Sequence, residues 1–234
     1  MLKVEALNAW YGPSHVLQGI DLEIRRGEIV CLIGRNGAGK TTTLKSIMGL
    51  LPKTTGSVVF EGRDLRGRPA HVRYGTGLAY VPEERRIVPG LTVRENLSLG
   101  LVASPLKGRE AELIEKTKRI FPRLAERLDQ TAITMSGGEQ QMLAIARAMI
   151  SEPKLIMMDE PSEGIMPVLV DEMFELFKAM KAEGQTILLV EQNVELALGI
   201  ADRAYVIDQG VIVHEATGAA LLADADIQER YCSV

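Results

Sequence analysis

The sequence predicts an α/β fold: a mixed β-sheet with helices, an antiparallel β region near the N-terminus and an inserted helical region. Three observations carry this. A continuously apolar run, Ile29 to Ile33, leads through a glycine-rich loop into a stretch with apolar residues at helical spacing. The middle third, from Val88 to Ile150, carries helical periodicity and no convincing strand pattern. The last third then alternates short apolar runs with an amphipathic helix.

The first sixty residues read as strands. Ile20, Leu22 and Ile24 alternate with Asp21, Glu23 and Arg25, as in a half-buried strand. Val58 to Phe60 is another short strand, closed by Glu61-Gly62. Ile29 to Ile33 has the unbroken apolar character of a strand covered on both faces. Leu44, Ile47, Met48 and Leu51 mark one side of the helix after the glycine loop. In the middle third, Thr92 with Glu95 is a capping box, and Leu113, Thr117, Ile120, Phe121 and Leu124 recur at helical spacing. Leu155 to Met158 and Thr186 to Val190 are buried-strand candidates. Between them Val170, Met173, Phe174, Phe177 and Met180 mark a helix opened near Pro167 and closed by Gly184. Ala204 to Ile207 and Val211 to Val213 suggest a hairpin through Asp208-Gln209-Gly210, and short helices are expected from Thr217 onward.

Composition narrows the classes. At about 150 residues per domain, 234 residues make one large domain or a domain with a substantial insertion. Hydrophobic residues at 46% supply a sizeable core. The formal net charge is −4, which argues against a sequence-independent nucleic-acid binder, since such proteins present a basic face. The two cysteines, Cys31 and Cys232, form no disulfide framework and suit a reducing compartment; Cys31 sits in an apolar run as a small core residue. The N-terminal segment lacks a signal-peptide pattern, and no apolar run approaches the roughly 20 residues needed to cross a bilayer. A cytoplasmic protein is expected, one able to work beside a membrane through a partner.

Three motifs carry chemistry. Gly34-Arg35-Asn36-Gly37-Ala38-Gly39-Lys40-Thr41-Thr42 fits G-x-x-x-x-G-K-[ST]. Its glycines let backbone N–H groups surround an anion, and the following helix aims its positive dipole end at the same point. Lys40 can reach the β- and γ-phosphates of a nucleotide, and the Thr41 hydroxyl can bind Mg²⁺. The second motif, Leu155-Ile156-Met157-Met158-Asp159-Glu160, is an apolar strand ending in two carboxylates. Asp159 suits Mg²⁺, through water, and Glu160 suits orienting or deprotonating an attacking water. The third is Met135-Ser136-Gly137-Gly138-Glu139-Gln140-Gln141 before Met142, Ala146, Met149 and Ile150. Ser136 and Glu139 make a second capping box, and Gly137 and Gly138 leave first-turn N–H groups open to an anion.

These three motifs, which follow one another along the chain as phosphate loop, signature and acidic strand, resemble the ATP-binding subunit of an ABC transporter over essentially the whole chain. Met135 and Glu139 vary a signature that usually reads Leu-Ser-Gly-Gly-Gln. The resemblance implies one P-loop ATPase domain. Residues 1–87 and 151–234 would form the catalytic core with its β subdomain, and 88–150 the helical subdomain bearing the signature. It implies ATP and Mg²⁺ as cofactors, Tyr11 stacked on adenine, and Ser162-Glu163-Gly164 crossing to a partner subunit. Two ATP molecules would be sandwiched in a head-to-tail dimer, Ser136 to Glu139 of one subunit meeting the γ-phosphate held by the other. Such a protein sits on the cytoplasmic face of the bacterial inner membrane as a peripheral subunit.

Two positions depart from the family pattern. Glu83 follows Tyr80-Val81-Pro82 where glutamine is usual; it can approach Mg²⁺ but donates no hydrogen bond. Gln192 stands where the family usually has a histidine at the end of the last core strand; an amide can donate to a γ-phosphate but cannot titrate. Tyr-Val-Pro-Glu, Ser-Glu-Gly-Ile-Met-Pro and Leu-Leu-Val-Glu-Gln-Asn resemble the shorter ATPase of branched-chain amino-acid importers. Those pair two ATPases with two transmembrane permease subunits and a periplasmic binding protein. Importers of urea, short amides or aromatic acids are the alternative. A non-transport ABC ATPase of DNA repair or translation is the alternative from another class, against which stand the missing heptad run and the single phosphate loop. The clustered Arg63, Arg66, Arg68 and Arg73, with Arg85 and Arg86, read as a solvated surface, with a phosphate or lipid role as the alternative.

Overall fold

Two apolar patterns build the sheets. The alternating N-terminal segments become β1 (Leu2–Tyr11) and β2 (Ser14–Ile24), while the unbroken run becomes β3 (Ile29–Ile33). The computed structural model describes residues 1–231, so Cys232 lies outside the described residues. After the glycine loop come α1 (Lys40–Met48), β4 (Thr54–Phe60), β5 (Arg63–Asp64), α2 (Ala70–Gly75) and β6 (Leu78–Val81). Next are α3 (Val93–Leu99), α4 (Glu110–Ile120), α5 (Pro122–Ala125) and α6 (Gly137–Met149), with 3₁₀ turns at Lys107–Arg109 and Ala132–Thr134. The chain returns to β7 (Leu155–Asp159), α7 (Pro167–Ala182), β8 (Thr186–Val190), α8 (Val194–Ile200), β9 (Arg203–Asp208) and β10 (Val211–Ala216). It continues through α9 (Gly218–Ala223) and α10 (Ala225–Tyr231).

Among the described residues the strands form an antiparallel sheet ordered β2-β1-β4-β5 and a mixed sheet ordered β10-β9-β3-β8-β7-β6. The mixed sheet is parallel except for the β9-β10 hairpin. Its central strands are apolar throughout because both faces are covered. Ile29, Cys31, Ile33, Ile156, Met158, Ile187 and Leu189 face a core completed by the helical region and α7. Val30, Leu32, Leu155, Met157, Leu188 and Val190 face the other core, with α1 and the antiparallel sheet. Cys31 is fully buried, and its thiol donates to the Ala197 carbonyl at 3.4 Å. Burial pushes that thiol well above the usual range, as expected for an inert core residue.

Between Val88 and Ile150 the described structure is helical apart from one bridge, Thr92 with Thr131. Both capping boxes form, at Thr92 and at Ser136. The helical spacing through Leu124 is interrupted: α4 ends at Ile120, and Pro122 starts α5. Proline disfavours the helical region for the residue before it, and Phe121 lies at φ −123°, ψ 72°. Leu51, expected on α1, lies beyond the C-cap Gly49 and is only partly buried.

Phe177 of α7 is fully buried, with its ring 5.6 Å from that of Phe174. Phe177→Ala is expected to cost about 3–5 kcal/mol through lost burial and a residual cavity. Chemical denaturation should report this as a lower midpoint with an unchanged slope.

Candidate functional site

The phosphate-loop residues sit between the end of β3 and the start of α1, packed against the β9–β10 hairpin. A Cβ at Gly34 would lie 2.2 Å from the Ile207 carbonyl oxygen, so only glycine allows this approach. Gly37, at φ +79°, takes the left-handed turn that carries the chain around the loop. The Gly210 N–H donates to the Ala38 carbonyl at 2.9 Å and fixes the loop to the hairpin. The N–H groups of Gly37, Gly39, Lys40 and Thr41 meet no acceptor among the described residues; they are the orphan donors of a loop and helix start. An anion accepts from such donors, and α1 adds its positive dipole end.

Lys40 is 4% exposed. Its Nζ donates to the carbonyls of Gly34 at 2.9 Å and Arg35 at 3.3 Å, and lies 3.5 Å from Glu160 Oε1. Asp159 ends β7, where the Thr41 hydroxyl donates to its Oδ1 at 2.9 Å and the Tyr80 hydroxyl to its Oδ2 at 2.9 Å. Burial raises the Asp159 pKa, and the bonds from Tyr80 and Thr41 oppose that rise. Burial also raises the Tyr80 hydroxyl, with the Asp159 charge adding to it. Glu160 takes φ +45°, unusual for a residue with a side chain, and its N–H is held by the Val190 carbonyl at 2.9 Å. The Gln192 amide Nε2 donates to Glu160 Oε2 in a short bond. The structure thus sets two polar groups side by side, Lys40 with Glu160 and Gln192, and Thr41 with Asp159, drawn from α1, the end of β7 and the residues after β8.

Glu83 follows Pro82 past β6. Burial, then the charges of Glu160 and Asp159, raise its carboxyl. The Thr41 hydroxyl and the Asp159 and Glu83 carboxylates are hard oxygen donors. Among the described residues no group of three or more His, Cys, Asp or Glu is arranged to hold a metal alone. Mg²⁺ fits such a set, because it uses one or two carboxylates plus substrate phosphates and keeps several waters.

The signature residues lie elsewhere. The Ser136 N–H and hydroxyl both donate to Glu139 Oε2 at 2.9 Å, and Glu139 Oε1 pairs with Arg127 at 3.1 Å. These bonds, first that from the Ser136 backbone, hold the Glu139 carboxyl below its usual range. A Cβ on Gly138 would strike Leu169 Cδ1 at 2.3 Å, and one on Gly137 would meet Arg85 Nη1 at 2.9 Å. The two glycines therefore let α7 and Arg85 close onto the start of α6. No hydrogen bond or ion pair among the described residues joins Ser136–Glu139 to Lys40, Asp159 or Glu160. Tyr11 ends β1 and is 45% exposed, free to offer its ring to a flat partner.

Two residues of this site stood within quoted motifs but were given no role of their own. Tyr80 reaches Asp159 because β6 lies beside β7 with Tyr80 opposite Met157. Glu191, 1% exposed, accepts from the Ser162 N–H at 2.9 Å, the Ser162 hydroxyl at 2.7 Å and the Gln192 N–H at 3.2 Å. It ties the loop after β7 to the residue after β8. Burial raises its pKa, with the Ser162 bonds opposing. Its only signal in sequence was a charge beside Gln192 after an apolar strand.

Known proteins share this sequence and this fold. A family model described as ABC transporter matches residues 17–163. The chain is 44% identical over 231 residues to the "High-affinity branched-chain amino acid transport ATP-binding protein BraG" of Pseudomonas aeruginosa, covering 99% of each chain. A solved ATP-binding cassette of an ABC transporter in its ADP conformation superposes with TM-score 0.83 at 30% identity, over 98% of this chain and 97% of that one. A dimeric bacterial ABC transporter cassette superposes with TM-score 0.79 at 25% identity, over 93% and 98%. The chain belongs to the ABC transporter family, as an ATP-hydrolysing cassette.

Proposed function

We propose that this chain is the ATPase subunit that powers an importer of branched-chain amino acids. The observation that carries the chemistry is the Lys40–Glu160–Gln192 network beside the Thr41–Asp159 contact. The 44% identity with the Pseudomonas aeruginosa protein along nearly the whole chain supports the substrate class. In this reading the phosphate-loop donors and Lys40 hold the triphosphate, and Thr41 and Asp159, with Glu83, hold Mg²⁺. Mg²⁺ supplies charge neutralisation on the phosphate oxygens when bound. Glu160 orients and deprotonates the attacking water, Gln192 keeps its carboxylate aimed, and Tyr11 stacks on the adenine ring.

Ser136 to Glu139 act on the ATP of a second ATPase subunit in a head-to-tail dimer. The likeness to a dimeric cassette and the separation of the signature from the Lys40 network support this. Two transmembrane permease subunits complete the transporter, and a periplasmic binding protein delivers the substrate. The chain docks on the cytoplasmic face of the inner membrane; no helix among its described residues is long and apolar enough to cross a membrane. The test is uptake of labelled leucine, urea and a short amide in cells lacking this chain and complemented with it. Restored leucine uptake alone supports the proposal; restored uptake of urea or the amide without leucine overturns the substrate class.

Gln192 provides a further check. If it positions rather than titrates, Gln192→His keeps ATPase activity within about tenfold, roughly 1.4 kcal/mol in barrier. Gln192→Ala removes the donor to Glu160 and should lose more than the histidine variant in steady-state ATPase assays. An alanine variant as active as the parent would remove Gln192 from the mechanism.

A further inference from the structure

The arginine cluster after β5 does not form a uniformly solvated surface. Arg63, Arg66 and Arg68 are exposed, but Arg73 is 5% exposed and points inward from α2. Its Nε donates to the Arg68 carbonyl at 2.8 Å, and its Nη1 to the carbonyls of Ile47 at 2.6 Å and Ser46 at 3.2 Å. Those two carbonyls close the last turn of α1, where the helix dipole is negative. A Cβ on Gly49 would lie 2.6 Å from Arg73 Nε, so the guanidinium packs close against the α1 C-cap.

Arg66, Arg68 and Arg73 line one cavity of about 380 Å³, which Thr54 and Thr55 of β4 also line. No carboxylate lines it. Arg66 has one distant partner, Asp64 at 3.7 Å, and both side chains are exposed. Arg73 forms no ion pair among the described residues, and its Nη2 meets no acceptor there.

We propose that this cavity is a second anion site, which takes a phosphate group held by Arg73 Nη2 with Arg66 and Arg68 at the rim. A buried cation without a counter-charge is costly, and carbonyl dipoles offset only part of that cost. Burial lowers the Arg73 pKa, and the charge of Asp64 opposes that. Arg73 already spends its Nη1 on the α1 end and its Nε on the Arg68 carbonyl, which occupies carbonyls that would otherwise repel an anion. The Nη2 amino group still offers its N–H donors to a phosphate oxygen, and the Arg66, Arg68 and threonine side chains can serve the others. The volume admits more than a bare ion, so a small phosphate monoester or a lipid headgroup fits as well as inorganic phosphate.

This site is separate from the nucleotide phosphates. It lies at the C-terminal end of α1, while the phosphate loop opens its N-terminal end. The helix has nine residues, which span about 13 Å.

The test is titration of inorganic phosphate into the full chain, with the nucleotide site saturated by Mg–ADP and ionic strength held constant with chloride. Saturable binding with Kd below about 1 mM is expected. The double variant Arg66→Ala/Arg68→Ala, which alters exposed side chains, should weaken it at least about fivefold, and Arg73→Met should abolish it. Arg63→Ala, outside the cavity, should bind as the parent does. A parallel arm measures sedimentation with phosphatidate/phosphatidylcholine vesicles against phosphatidylcholine alone. Arginine-dependent binding to phosphatidate vesicles alone assigns the site to a headgroup, and to free phosphate alone assigns it to a soluble ligand. No saturable binding in either arm, or binding unchanged in the folded double variant, overturns the proposal. The double variant decides the matter even if Arg73→Met fails to fold.

Discussion

Lys40→Ala is expected to reduce ATP hydrolysis about 10²–10³-fold, the usual loss for one charge contact to a transition state. Lys40 is the one lysine in the phosphate loop, is almost wholly buried, and bonds the carbonyls of Gly34 and Arg35. Removing it takes away the cation beside the loop and also leaves two carbonyls without their donor. The loop should therefore loosen as well as lose charge, so both ATP affinity and turnover fall. Nucleotide binding measured by fluorescence, beside steady-state ATPase assays, separates the two losses. Circular dichroism should report a folded chain, since the sheet and both cores do not depend on Lys40. Turnover within a factor of about two of the parent would contradict the assigned role of the loop.

Much of this site was readable because its determinants are local. The glycine loop between a fully apolar strand and a helix start is a contiguous pattern, and its glycines are required where the backbone passes Ile207 and turns at Gly37. The capping boxes at Thr92 and Ser136 are likewise set by residues three apart. The unbroken apolar strands reported a sheet covered on both faces, and the alternating strands a sheet covered on one.

What stayed hidden depends on distant neighbours or on elements too short to have a period. Helices α2 and α8, of six and seven residues, fall below the window in which helical periodicity can be read. The spacing from Leu113 to Leu124 concealed a break, because Phe121 keeps its buried position across the change of direction at Pro122. Arg73 looked like its exposed neighbours until α2 turned it onto the end of α1. Glu191 looked like a strand-end charge until Ser162 folded back onto it. For these last two residues the deciding partner is far away in sequence: Ile47 for Arg73, Ser162 for Glu191.

Glu160→Gln should bind ATP yet hydrolyse it about 10²–10⁴-fold more slowly, the range a positioned general base supplies. The substitution keeps the shape of the side chain, which matters because Glu160 is 8% exposed and held at φ +45° by its backbone bond to Val190. The amide can keep its oxygen toward Lys40 and turn its NH₂ toward Gln192, whose own amide can rotate to accept. The network therefore survives while the basic carboxylate is lost. In the proposed dimer, hydrolysis is what reopens the ATP sandwich, so a stalled variant should accumulate as an ATP-dependent dimer with its partner ATPase. Size-exclusion chromatography with ATP, with ADP and without nucleotide reads this directly. A dimer with ATP only, together with slow turnover, is the expected outcome. Normal turnover would remove Glu160 as the base, and a chain monomeric under all three conditions, with the partner ATPase present, would remove the head-to-tail sandwich.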